Sequence, residues 1–415
     1  MEISIAKEQP NYRSVPQGWK FDKIGNIAII HRGASPRPIS DKRWFSENSE
    51  VGWVRITDVS KAHKYLLETE QQVSDDGMKN SRFVKENSLI MSICATVGKP
   101  IITRTKVCIH DGFVVFEGLR DNLDYVYYYL SFVEDEWAKH GQTGSQMNLN
   151  TGIIGDEIIL LPNDPKEQSA IAEALSDADT LIASLEKLID KKKSIKHGAM
   201  QILLTGKKRL PGFTEEWTNL NMAEKSTLKA RIGWQGLTTA EYLESGQYLL
   251  VTGTDFQNGR INWSSCWFVD KSRYMQDTNI LLKPKDVLLT KDGTIGKVGY
   301  VDSLPRPATL NSGVFVIRPK NNAYNPLYFY YVLDSHIFSN FLAKLQAGST
   351  ISHLYQKDFV NFNFMAPEIE EQSAIASILS DMDTEIDELE HKLAKYKLIK
   401  QGMMQELLTG KKRLV

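Results

Sequence analysis

The sequence predicts an α+β protein: two globular α/β domains separated by two long helices that form a coiled coil, with a pseudo-two-fold arrangement if the helices pair antiparallel. Three observations carry that expectation. Residues 167–210 return at residues 371–414 with a constant offset of 204, no gap and most positions identical. Each copy has the apolar period of one long helix, whereas the stretch before each copy is made of short β-branched runs between turns. The 415 residues also exceed the ~250–300 that a single core usually organises.

Residues 1–12 read as a loose polar extension of a first domain spanning 1–163, followed by a first helix region at 164–210. A second domain spans 211–366 and a second helix region 367–415. The domains are diverged copies of one another. Trp19 and Trp217 open them 198 residues apart, residues 96–99 match 294–297 at the same offset, and residues 112–115 match 313–316 at 201. Strands are expected at 26–30, 88–93, 99–103, 112–116, 286–290 and 313–317. Dense aromatic runs at 125–130 and 327–333 read as helices packed on those strands, continuing towards Trp137 and towards Ile337, Phe341 and Leu345.

The long helices have explicit ends. Asp164 and Pro165 supply an N-cap and a first-turn proline, Glu167 a capping-box acid, and Pro367 starts the second copy. Gly206 and Gly410 stop the copies where a positive φ is needed. Between these ends Leu175, Ala178, Ile182, Leu185 and Ile189 step by three and four, as do Leu379, Met382, Ile386, Leu389, Leu393 and Tyr396. That is a coiled-coil seam. A lone copy is also explained by a helix lying on a domain core, but two copies are buried most economically against each other. Glu186, Lys187, Asp190, Lys191, Glu388, Glu390 and Lys392 suit solvent-facing heptad positions. About 40 residues at ~1.5 Å each make a rod of about 60 Å, long enough to space two domains. Antiparallel pairing puts the domains at opposite ends; parallel pairing puts them side by side.

Composition narrows the function classes. Charged residues are 24%, hydrophobic ones 42%, and the net charge is −1, which argues against bulk electrostatic coating of nucleic acid but averages away local basic loops. No apolar run approaches the ~18 residues needed to span a bilayer and the start lacks a secretory apolar stretch, so a cytoplasmic location is expected. The three cysteines and eight histidines show no metal-type spacing. Asn325-Pro326-Leu327-Tyr328 approaches the Asn-Pro-Pro-Tyr motif of amino-methyltransferases, but its third residue is Leu and no cofactor loop accompanies it. A helix cap explains it better. Residues 293–298 hint at a phosphate loop without its spacing, and read as a hairpin turn.

Basic and polar loops remain. Arg32, Arg37, Lys42 and Arg43 crowd one loop of the first domain, and Lys229, Arg231 and Trp234 occupy the corresponding place in the second. The hairpin turns add Thr96 and Lys99, and Lys291, Thr294 and Lys297. Gln142, Ser145 and Gln146, with Gln346, Ser349 and Thr350, lie on Gly-Ser loops whose amides and hydroxyls suit phosphate contacts. Solvated surface loops explain each set equally well from the residues alone.

The repeated segment, with its Glu-Gln start at 167–168 and its Leu-Leu-Thr-Gly-Lys-Lys-Arg-Leu end at 203–210, closely resembles the conserved spacer regions of type I restriction-modification specificity subunits. The resemblance covers nearly the whole chain, since the variable domains match that family's target recognition domains in layout. It implies a non-catalytic DNA-binding subunit in which each domain reads half of a split site in double-stranded DNA. It further implies that an antiparallel coil sets the spacing and that two copies of a modification subunit dock, with restriction subunits joining through them. No cofactor is expected on this chain; S-adenosylmethionine, ATP and Mg belong to the partners. Two rival readings are a self-contained methyltransferase or nuclease, which needs a motif the chain lacks, and a free-standing DNA-binding regulator or scaffold.

Overall fold

The computed structural model describes residues 15–137, 149–233, 236–347 and 353–414. Two compact units emerge, Met1–Glu186 together with His391–Val415, and Lys187–Glu390. Each long helix, Pro165–Leu203 and Ile369–Leu407, therefore contributes one part to each unit.

In the first unit the central sheet has the order Ile29–Arg32, Phe113–Glu117, Leu89–Ser92, Pro100–Thr103, Tyr65–Leu66, with only the last pairing parallel. Both faces of this sheet are covered. Leu89, Met91, Ile102, Val114 and Phe116 enter the core beneath the aromatic helix Leu123–Phe132, while Ile90, Ile101 and Val115 point the other way, towards Val107 and Ile109 of a four-stranded sheet. Burial on both sides is why these strands read as unbroken apolar runs rather than as alternating ones. A two-stranded ribbon, Trp19–Lys23 with Ile158–Pro162, leads from the domain into the first long helix.

The second unit repeats the plan. A six-stranded sheet centred on Val287–Thr290 and Val314–Pro319 sends Val287, Leu289, Phe315 and Ile317 towards the aromatic helix Pro326–Leu333, and Leu288, Val314 and Val316 towards a three-stranded sheet. The strand expected at 26–30 is displaced to Ile29–Arg32, because Ile24–Ile27 forms one helical turn. The aromatic helices are likewise interrupted, restarting as Glu134–Trp137 and His336–Ala347.

Within each unit the two long helices run antiparallel. As the first helix advances from Glu167 through Asp179 to Glu186, its partners fall from Arg413 through Lys400 to Lys397. The second unit repeats this register with Glu371, Asp383 and Glu390 against Arg209, Lys196 and Lys193. Of the expected seam, Leu175, Ile182, Leu185, Ile189, Leu379 and Ile386 are buried, and Ala178, Met382, Leu389, Leu393 and Tyr396 are half-buried. Exposed ion pairs contribute ~0.2–1 kcal/mol each, so the apolar seam supplies most of the adhesion and the charges select direction. Two expected details change. Glu186 and Glu390 are not free heptad positions but half-buried members of these pairs, at 2.7 and 2.6 Å. The second helix starts at Ile369 rather than at Pro367, whose carbonyl instead accepts a bond from Gln372 Nε2 at 2.8 Å.

None of the described helices is long and apolar enough to cross a membrane. Proline at Leu185 or Leu389 removes a helix-interior hydrogen bond and clashes with the preceding turn, at a cost of about 3 kcal/mol or more. Circular dichroism of L185P and L389P is expected to show reduced helicity and a lower melting temperature; an unchanged melt would refute the seam.

Candidate nucleic-acid interface

Polar loops gather at one end of each central sheet, and the first unit shows how they are held. Gly33 N donates to Phe113 O at 2.9 Å and Ala34 N to Ile109 O at 3.1 Å, laying the loop that follows Arg32 against residues 109–113. A Cβ on Gly33 would lie 2.0 Å from the His110 carbonyl oxygen, so only glycine allows this approach. Arg32 Nε donates to Asp111 O at 2.7 Å, and Ser35 Oγ to Asp111 Oδ1 at 2.6 Å; that hydroxyl holds the Asp111 carboxyl below its usual range. Further along, Trp44 is buried with its indole donating to Pro38 O at 2.9 Å, which anchors the loop and leaves Arg37, Lys42 and Arg43 exposed. The Arg43 guanidinium lies 4.0 Å from the Trp44 ring centre.

The neighbouring hairpin turn passes through positive φ at Ala95 (60°) and Gly98 (87°), with Gly98 pressed against Trp137. Thr96 is half-buried, and Lys99 Nζ donates to Ala62 O at 3.2 Å. His110 completes this rim. Its Nδ1 accepts from Gly112 N at 2.9 Å, placing the proton of the neutral ring on Nε2, and burial lowers its pKa.

The second unit builds its rim from different residues on the same frame. Its hairpin turn has positive φ at Gly293 (66°) and Gly296 (89°), with Thr294 and Lys297 exposed. Lys291 is half-buried, with Nζ 5.4 Å from the Phe315 ring. Leu354 N donates to Lys291 O at 2.8 Å, which brings His353 Nδ1 onto the Asp292 carboxylate and Tyr355 to the surface. Lys229 and Gln346 are exposed.

Arg231 departs from expectation. It is 1% exposed, donating from Nε to Leu310 O at 2.9 Å and from Nη2 to Thr309 Oγ1 at 3.2 Å. Like Arg32, it donates to a backbone carbonyl in the segment before the paired strand, but it stands one residue later in register: Arg32 ends its strand opposite Val114, whereas Ala230 lies opposite the equivalent Phe315 and Arg231 follows it. Its guanidinium is therefore a structural clasp rather than a surface contact. Gln142, Ser145, Gln146, Trp234, Ser349 and Thr350 lie outside the described residues.

Beneath each rim, the junction between domain and helices is built from identical parts. In the first unit Gln168 Oε1 accepts from Asn122 N at 2.9 Å, Asn122 Nδ2 donates to Ser169 Oγ at 3.1 Å, and Tyr128 OH donates to Asp179 Oδ2 at 2.7 Å. In the second, Gln372 takes Asn325 N at 2.9 Å, Asn325 reaches Ser373 at 3.0 Å, and Tyr331 donates to Asp383 at 2.7 Å. Asn325 also caps its aromatic helix by accepting from Leu327 N and Tyr328 N, which accounts for the methyltransferase-like tetrapeptide. Glu167 does not close a capping box. It is fully buried and meets Arg413, just as Glu371 meets Arg209.

The model of the type I restriction-modification DNA specificity domain matches residues 16–196 and again 236–398. The chain belongs to the type I specificity-subunit family. It is 23% identical over 417 residues to the MjaVIII specificity subunit of Methanocaldococcus jannaschii, covering 96% of this chain and 94% of that one. It is 22% identical over 199 residues to the EcoKI specificity subunit of Escherichia coli K12, covering 47% and 42%. In fold it is similar to the specificity subunit of Mycoplasma genitalium, with a TM-score of 0.63, 14% identity, and 97% and 98% of the two chains covered. A chain from a study of complex assembly and conformational transition in the type I system superposes with a TM-score of 0.58 at 14% identity, covering 95% and 98%.

In this specificity subunit the candidate rims also hold Ser35, His110, Asp111, His353 and Tyr355, which the sequence analysis did not single out. The available signal was the matched Gly112/Gly313: each immediately precedes an equivalent strand, so the residues before them had to lie at the same sheet end.

Two substitutions separate clasp from surface. R231A leaves the Leu310 carbonyl and Thr309 hydroxyl buried without that donor, at about 1–3 kcal/mol, and lowers the melting temperature. K297A is expected to stay within about 0.5 kcal/mol of the parent. Thermal melts showing the reverse order would refute the assignment. Y331F removes a hydrogen bond to a carboxylate and costs about 1.5–3 kcal/mol by the same measurement.

Proposed function

We propose that this specificity subunit reads a two-part double-stranded DNA site, one half with each recognition domain. The helix pair sets the separation of the halves and recruits two copies of a modification subunit and, through them, restriction subunits. The observation that carries this reading is the contrast between junction and rim. Three helix–helix ion pairs and the Asn–Gln and Tyr–Asp contacts recur in both units at the same register, whereas the rims above them carry different side chains. Identical partners need equivalent supports; different half-sites need different reading surfaces.

On the first rim Arg32, Arg37, Lys42, Arg43, Thr96 and Lys99 face DNA, and on the second Lys229, Lys291, Thr294, Lys297 and Gln346. Lysine and arginine neutralise phosphates and fix register, while arginine, glutamine and hydroxyl groups on the turns read base edges. The chain contributes recognition and spacing. S-adenosylmethionine and adenine methylation belong to the modification subunits, and ATP and Mg to the restriction subunits. The complex acts on DNA in the cytoplasm.

Coexpression with the modification subunit, followed by base-resolution mapping of methylated adenines, is expected to return two short specific blocks separated by an unread gap. A single continuous motif would overturn the reading. R37A and K42A should alter only the first block, K229A and K297A only the second, and each lost phosphate contact should reduce the salt slope of binding by about 1. One heptad inserted into both long helices adds about 10 Å of rod. It should lengthen the unread gap by about 3 base pairs without changing either block.

A further inference from the structure

We infer that the two helix faces offered to the modification subunits are unequal, and that the face carried by the first long helix is filled first. This rests on the docking proposed above and concerns which copy of the repeat binds more tightly.

The first long helix carries two heptad seams. One faces its partner helix. On the outside, Leu181, Leu188, Ile195 and Ile202 recur every seven residues and are 37, 38, 47 and 39% exposed. Ser184, Lys191 and Gly198 stand between them at the alternate three- and four-residue steps, so this stripe has the spacing that receives another helix. A seven-residue period drifts only ~20° per heptad, which keeps the four aliphatic side chains nearly in line. At Gly198 an added Cβ would meet nothing within 4 Å, leaving room for an incoming side chain.

The flanks indicate what kind of helix fits. Lys187 and Lys191 are exposed beside the stripe. Lys191 lies at its midpoint, so a second copy of this chain paired antiparallel would bring two lysines together. A partner helix with an apolar seam and acidic flanks meets no such repulsion.

The second long helix lacks the stripe. At the equivalent positions it has Glu385, Lys392, Ile399 and Glu406, and Ser184 is replaced by Glu388. Ile399, 41% exposed, is the one aliphatic residue retained; the exposed Leu398 beside it is a quarter turn round the helix. Glu385 is moreover held by Lys192 at 2.5 Å. A partner helix that buries Leu188 and Ile202 on one face would have to desolvate Lys392 and Glu406 on the other, the latter only loosely paired with Lys412 at 3.9 Å, and burial of charge without close compensation is unfavourable. The partners are identical, so the difference originates in this chain. The divergence is also selective, because the Glu–Arg, Asp–Lys and Glu–Lys pairs that recur at one register are the same in both copies.

The test is calorimetric titration of the intact chain with the modification subunit, with native mass spectrometry of the species formed. Two binding events are expected, about tenfold or more apart in Kd, with a one-to-one complex persisting below saturation. L188K/I202E, which installs the second copy's residues on the exposed stripe, should weaken the tight event to the level of the weak one. K392L/E406I should strengthen the weak event. Two equal events in the parent, or no response to either variant, would overturn the inequality while leaving docking intact. A folded chain that binds no modification subunit would overturn docking itself. A dimer of the free chain abolished by L188K/I202E would overturn the assigned occupant.

Discussion

A carboxylate with no exposure must meet a cation, and in each unit that cation comes from the other copy of the repeat. Glu167 at the start of the first helix is closed by Arg413 beyond the end of the second, and Glu371 by Arg209. Each arginine also lies over a tryptophan, Trp19 or Trp217, at 5.8 or 5.9 Å from the ring centre. Gly410 and Gly206, at φ of 67° and 69°, turn the chain so that the arginine arrives there. Neither copy completes a unit from its own residues. The near-identity of the repeats follows, because each copy supplies a carboxylate to one unit and a guanidinium to the other.

The same exchange explains where divergence is tolerated. Tyr128 and Tyr331 are held to Asp179 and Asp383, which are in turn held by Lys400 and Lys196 at 2.5 Å. A substitution at any of these would strand a half-buried charge or hydroxyl. Rim residues carry no such burden: Arg37, Lys42, Thr294 and Lys297 are exposed on turns whose backbones are fixed from below. The rim can therefore change while the frame beneath it stays constant.

Much of this was legible in the residues. The seam, the glycine stops, the aromatic helices and the hairpin turns were visible because each depends on local spacing or local conformation. Glu167 was misread as a capping acid because its position matched a local motif, while its partner lies 246 residues away. Arg231 was misread as a surface cation for a similar reason: a basic residue at or just past the end of a strand looks the same whether it stays exposed, as at Arg32, or has Leu310 and Thr309 folded over it. Glu186 and Glu390 suited solvent until an antiparallel partner brought Lys397 and Lys193 alongside them.

The sequence by itself determined that the chain is written twice, that each half joins an α/β domain to one long helix, and that the helices share a seam. Periodicity, capping residues and self-similarity are properties of neighbouring residues and a constant offset, so they survive without coordinates. Only the tertiary structure decided the direction of the helix pair, the exchange of Glu and Arg between copies, and which cations remain free at the rim. Those depend on contacts between residues up to some 250 positions apart, and no local pattern encodes which of several equivalent charges will meet.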